Sequence, residues 1–204
     1  MIDGPALLGR EPREPVVLAV LAAGASRRLG TPKQLVPYRC RPLLEAITSV
    51  ACAAPVVRVA VVLGARAPEI APCLSSLDVD ILINDAWQVG MATSVRCATS
   101  WALAREAVAL VLVTGDQPHL DAAHLRALVA VHRASGGPVA SFYDGVRGVP
   151  ALFPRAFFPR LLELRGDKGA ATLLRESGAV SEVSWPEGAF DVDEQCDVAR
   201  LAAV

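Results

Sequence analysis

VVLAVLAAGASRRLGTPK, Val16 to Lys33, is the stretch from which the fold of this chain is read. It opens with an unbroken, partly β-branched apolar run, Val16 to Ala22, closed at once by Gly24. That is the pattern of a strand buried on both faces of a parallel sheet. In an open α/β sheet the loop leaving the carboxyl end of such a strand faces the ligand crevice, and its free backbone N–H groups can cradle phosphate. Gly24 lets the backbone approach a ligand with no Cβ in the way. Ser26 adds a hydroxyl, and Arg27, Arg28 and Lys33 put three cations on one short loop. The set suits a triphosphate; it also suits a solvated basic turn between strand and helix.

Spacing excludes two common phosphate loops. Five residues separate Gly24 from Gly30, and the lysine stands further on at position 33, which is not the P-loop order. Gly24-Ala25-Ser26 does not open a dinucleotide-binding GxGxxG. The stretch resembles instead the LAAGxSxRxGxxK signature of nucleotidyltransferases that move a nucleoside monophosphate from an NTP onto an acceptor phosphate. It is most similar to their molybdenum cofactor cytidylyltransferase branch, in which Pro32-Lys33-Gln34-Leu35 is also familiar. The resemblance implies a three-layer, Rossmann-like α/β fold with a mostly parallel twisted sheet. It further implies that Leu21, Ala22, Ala23, Gly24, Ser26, Arg28 and Lys33 border the nucleotide.

Outward from this stretch, apolar runs at 56–63, 79–83, 108–114 and 138–142 read as further strands, with an edge strand at 181–185. Between them lie helical patterns at 42–54, from Met91 onward, after an Asp121 cap, and from Glu194 to Ala203. The alternation predicts one domain over residues 16–204, helices on both faces of the sheet, and a flexible tail over residues 1–15.

Three further segments carry candidate site residues. In Asn84 to Ser94, Thr93 and Ser94 fall in the first turn of a helix, where free N–H groups favour an anion, although an ordinary helix start with a packed Trp87 has the same sequence. The N-x-x-W-x-x-G-M-x-x-S block resembles one that helps form the nucleotide pocket in the same family, which implicates Asn84, Gly90 and Ser94. Asp116 stands at the carboxyl tip of the fourth strand in Gly115-Asp116-Gln117-Pro118, well placed for a divalent cation and equally suited to begin a turn. The match to the family's metal motif favours the ligand, with Asp193 of Asp191-Val192-Asp193 completing the site opposite it. The chain departs from the family pattern at Val149, Ala171 and Glu194-Gln195-Cys196.

Composition bounds the rest. Hydrophobic residues make up 53% of 204, and the net charge is −1, so no whole-molecule field draws nucleic acid. No apolar run reaches the length of a membrane span. Five scattered cysteines without a CxxC pair predict buried free thiols in a reducing compartment, and the chain is expected in the cytoplasm. The resemblance implies transfer of CMP from CTP to a molybdopterin-type acceptor with release of pyrophosphate. Arg28, Lys33 and Asp116 would be catalytic, Mg²⁺ the cofactor with Mn²⁺ as an alternative, and a molybdenum hydroxylase a transient partner. The rival readings are a guanylyl- or sugar-phosphate nucleotidyltransferase of the same fold and a non-catalytic cofactor chaperone.

Overall fold

The first strand, β1 (Val16–Leu21), has every side chain buried, because both faces of its sheet are covered. Val16, Leu18 and Val20 point into one hydrophobic core, and Val17, Ala19 and Leu21 into another. The computed structural model describes residues 15–201. The expected tail lies outside the described residues except for Pro15, and so does the chain beyond Leu201.

After β1 and its loop come the two-residue strands β2 (Pro37–Tyr38) and β3 (Arg41–Pro42), which form a small antiparallel ribbon leading into α1 (Leu43–Cys52). Then follow β4 (Arg58–Leu63), the short α2 (Ala67–Ile70), β5 (Asp80–Ile83), α3 (Met91–Ala104), β6 (Ala109–Thr114) and α4 (Ala122–Ser135). The chain continues through β7 (Val139–Tyr143), β8 (Val146–Pro154), α5 (Phe158–Glu163), α6 (Ala171–Glu176), β9 (Ser181–Ser184) and α7 (Gln195–Leu201). Seven strands form one sheet in the order β5-β4-β1-β6-β8-β7-β9. Its pairings are parallel except those of β8, which runs antiparallel to both β6 and β7.

Side chains of α1, α4 and α7, including Leu44, Leu128 and Leu201, fill one core. Those of α3, α5 and α6, including Val95, Leu161 and Leu174, fill the other. The result is the three-layer α/β arrangement expected. Asp121 caps α4, its carboxylate accepting from the His124 N–H at 2.7 Å.

The sequence reading carried no strand between Asp144 and Phe153, yet β8 is the longest of the sheet. Asp144 and Gly145, both at positive φ (49° and 72°), make the tight turn that folds β8 back on β7. The cysteine expectation also changes. All five thiols are free, but Cys40, Cys52 and Cys196 are exposed and the other two half-buried. Among the described residues, no helix is long and apolar enough to cross a membrane.

Candidate active site

β1 and β6 are hydrogen-bonded neighbours in the middle of the sheet, and both end at the same edge. Their carboxyl-end loops therefore face each other across a cleft of about 620 Å³, a size ordinary for a small-molecule site. On one side is the loop 22–34. Gly24 has nothing within 4 Å of where a Cβ would stand. Among the described residues, the N–H groups of Gly24 to Arg28 donate to no protein acceptor. They form an open row of donors beside the exposed Arg27 and Arg28, both of which line the cleft.

The loop keeps its shape through a residue the sequence reading left without a role. Gln34, 1% exposed, donates from Nε2 to the carbonyls of Ala22 at 2.8 Å and Gly24 at 3.0 Å. Its Oε1 accepts from the Ser26 hydroxyl at 3.4 Å. That hydroxyl also accepts from the Lys33 N–H at 3.0 Å, so Ser26 closes the loop on itself. Gln195, at the start of α7, donates to the Leu29 carbonyl at 3.0 Å and ties the last helix to the same loop.

Across the cleft, Asp116 follows the tip of β6, and the Val192 N–H donates to its carbonyl at 3.0 Å. This bond lays the segment carrying Asp191 and Asp193 alongside. Carboxylate oxygens of Asp116, Asp191 and Asp193 all lie within 4.8 Å of one another. The Lys33 ammonium donates to Asp116 Oδ2 and to Asp193 Oδ1, each at 2.7 Å. Burial works against the charge of Lys33, but the pull of Asp116 and Asp193 outweighs it, and its pKa is raised. Asp191 is exposed as a residue, yet partial burial of its carboxyl, followed by repulsion from Asp116 and Asp193, raises its pKa. A fourth nearby aspartate has another job: Asp197 accepts from the N–H groups of Asp193 at 3.1 Å and Glu194 at 2.8 Å, holding the start of α7.

The third wall comes from the start of α3. Gly90 sits at φ +122°, and a Cβ there would lie 2.4 Å from the Gly166 carbonyl oxygen and 2.6 Å from Asp167 Oδ1. The glycine thus lets the 166–167 turn close over the helix start, and Asp167 joins the lining. Trp87 and Met91 add an apolar surface next to Ala23 and Ser94.

Of the residues expected at the nucleotide, Leu21, Ala22, Ala23, Gly24, Ser26, Arg28, Lys33, Gly90 and Ser94 line this one cleft, together with Asp116 and Asp193. Asn84 does not. It is 6% exposed and spends its amide on Thr93 Oγ1 at 2.8 Å and Ser94 Oγ at 3.0 Å, so it orients the helix start from behind. Asp191, by contrast, enters the carboxylate cluster although the reading named only its neighbour two positions on. Trp87, which packs at an ordinary helix start in the alternative reading, lines the cleft. The Asp-Val-Asp pattern was the signal for Asp191, since alternate residues of an extended segment face the same way.

Three carboxylates and one ammonium leave an excess of two negative charges. A hard divalent cation with oxygen ligands fits that donor set.

Comparison with known proteins places the chain in a family. The model of a family described as the MobA-like NTP transferase domain matches residues 18–182. The purine catabolism protein PucB of Bacillus subtilis is 32% identical over 93% of this chain and 98% of its own. Nicotine blue oxidoreductase of Paenarthrobacter nicotinovorans is 31% identical over 77% of this chain and 80% of its own. Among solved structures, Rv0371c of Mycobacterium tuberculosis superposes with a TM-score of 0.81 at 34% identity, covering 93% of this chain and 98% of that one. The same protein has been solved in complex with manganese, TM-score 0.74.

Proposed function

This chain belongs to the family of MobA-like NTP transferase domains, and from that premise we propose that it transfers CMP from CTP to the terminal phosphate of a molybdopterin-type acceptor, releasing pyrophosphate. The observation that carries the reading is the meeting of the Lys33 ammonium with the carboxylates of Asp116 and Asp193 in the cleft beneath the open glycine loop.

An acceptor phosphate oxygen attacks the α-phosphorus in line; the bond from that phosphorus to the bridging oxygen breaks, and pyrophosphate leaves. The acceptor is already ionised near neutral pH, so no general base is needed. Positioning and charge neutralisation supply the acceleration. The N–H groups of residues 24–28 and the Arg28 guanidinium receive the β- and γ-phosphates. Lys33, kept charged by its carboxylate neighbours, meets the charge that grows on the leaving group. Asp116, Asp191 and Asp193 would hold Mg²⁺ or Mn²⁺, which neutralises charge on the reacting phosphates when bound.

Base choice rests on Ala23, whose methyl narrows the cleft next to Trp87 against a purine. PucB is named for purine catabolism, which supports an acceptor destined for a xanthine-oxidase-type hydroxylase, a transient partner of a protein at work in the cytoplasm. The test is pyrophosphate release from CTP, GTP, ATP and UTP with molybdopterin, for wild type and Ala23→Gly. CTP preference that relaxes toward GTP in the variant is expected; equal rates with all four nucleotides in both proteins would refute the base assignment. The relative named an oxidoreductase favours a second reading, redox turnover. Oxidation or reduction of nicotine blue without pyrophosphate from any nucleotide would favour it.

A further inference from the structure

Lys33 holds one oxygen each of Asp116 and Asp193, two of the three carboxylates that would bind a divalent cation. Its ammonium lies 2.7 Å from an oxygen of each, and a cation of the Mg²⁺ kind binds such oxygens at roughly 2.0–2.1 Å. A cation on those same oxygens would lie within a few ångströms of the ammonium, where like charges repel. The contact with Asp116 is partly sheltered, with side-chain exposures of 17% for Lys33 and 20% for Asp116, so water weakens it less than it would an exposed pair, whereas the Asp193 side chain is 44% exposed. Nor can the backbone of Lys33 withdraw easily: its N–H is fixed to Ser26 Oγ, and the turn around it closes through Leu35 N–H to the Pro32 carbonyl at 3.0 Å. The side chain alone is free to swing. The cleft it lines offers one direction in which an ammonium would find a new anion, toward the open N–H row of residues 24–28, where a polyphosphate would lie.

We propose that Lys33 acts as a latch on the carboxylate site: it bars free divalent ions until a nucleotide's polyphosphate draws the ammonium away. The inference rests on the nucleotidyltransferase reading and adds to it a role for Lys33 before the nucleotide arrives. Binding of cation and nucleotide are then coupled, each raising affinity for the other by the same factor. Asp191, the carboxylate that Lys33 does not touch, is left as a first foothold for the arriving cation.

The test is Mn²⁺ binding, read from the electron paramagnetic resonance signal of free Mn²⁺. It is measured with and without α,β-methylene-CTP, after correction for Mn²⁺ held by the analogue in the absence of protein. For Lys33→Met without nucleotide, Mn²⁺ affinity should rise at least about tenfold over wild type, the scale of losing charge-assisted hydrogen bonds to the ligands. The coupling to the analogue seen in wild type should nearly vanish. Arg27→Met removes a cation from the same cleft without touching the carboxylates, and should change Mn²⁺ affinity far less. Equal Mn²⁺ affinity in wild type and Lys33→Met, with binding still abolished by Asp116→Asn, would overturn the latch while leaving the metal assignment standing. Absence of Mn²⁺ binding in every protein, with or without the analogue, would overturn the metal assignment and the latch together. An equal rise in Arg27→Met would also overturn the latch, reducing it to general charge repulsion.

Discussion

Replacing Gln34 by leucine tests whether the glycine loop is held from beneath. Leucine keeps the shape of the apolar stem and removes both hydrogen bonds to the loop carbonyls. Gly24 is exposed, so water takes over at its carbonyl. Ala22 is 6% exposed, so its carbonyl loses its side-chain partner with little water to replace it, at a cost of about 1–3 kcal/mol. Ser26 loses its acceptor as well, but that bond is long at 3.4 Å and adds little. The expected destabilisation is about 2 kcal/mol, a fall in melting temperature of about 4–8 °C for a chain of this size. With the loop loosened, the row of N–H donors at residues 24–28 is no longer pre-set, and KM for the nucleotide should rise more than kcat falls. Thermal denaturation followed by circular dichroism gives the first quantity, and initial rates of pyrophosphate release the second. An unchanged melting temperature with an unchanged KM would refute the claim that Gln34 holds the loop.

The remaining predictions concern other joints of the structure. Gly90→Ala places a methyl 2.4 Å from the Gly166 carbonyl oxygen at a strained φ. It should destabilise by at least about 2 kcal/mol and raise KM for nucleotide, as seen by denaturant unfolding and steady-state kinetics. His124 packs against Trp185 with ring centroids 4.8 Å apart, and its Nε2 lies 2.6 Å from Ser141 Oγ. Ser141 gives its own proton to the Pro150 carbonyl, so Nε2 carries the hydrogen in that contact. Burial lowers the His124 pKa from 6.5 to about 4. The unfolded chain therefore binds the proton first, and stability present above pH 6.5 is lost as pH falls toward 4. The loss should be about 2 kcal/mol once partial access of water to the ring is allowed for. His124→Asn should flatten the stability profile across that window, and an unchanged slope would contradict the assignment.

How much of this was legible in advance differs from element to element. β1, β4 and β6 could be read directly because a strand buried on both faces in a parallel sheet has no polar positions to blur it. β8 escaped because Gly148 and Pro150 break its apolar pattern, although Asp144-Gly145 before it is a strong hairpin signal. Asp116 could be placed because it follows the tip of a central strand, Lys33 because it belongs to the basic loop after the first, and Asp193 through the resemblance to the family's closing motif. Asn84 and Asp191 were not separable in the same way. Both are polar residues in loops near the right strand ends, and only the packed structure shows one turned toward the helix start and the other toward the carboxylates. Gln34 could not be assigned from sequence, since its role exists only once the loop has closed over it. Gln195 explains part of the departure at residues 194–196: where the family has another motif, this chain has a tether to Leu29.

The measurement that bears most directly on the whole account is single-turnover pyrophosphate release from CTP in the presence of molybdopterin and Mg²⁺, comparing wild type with Asp116→Ala. Loss of the carboxylate opposite Lys33 should slow release by two to three powers of ten or more, roughly the range for removal of an electrostatic stabiliser, while circular dichroism stays that of the folded protein. A folded Asp116→Ala protein that turns over at the wild-type rate would contradict the claim that loop cations and cleft carboxylates act on one polyphosphate.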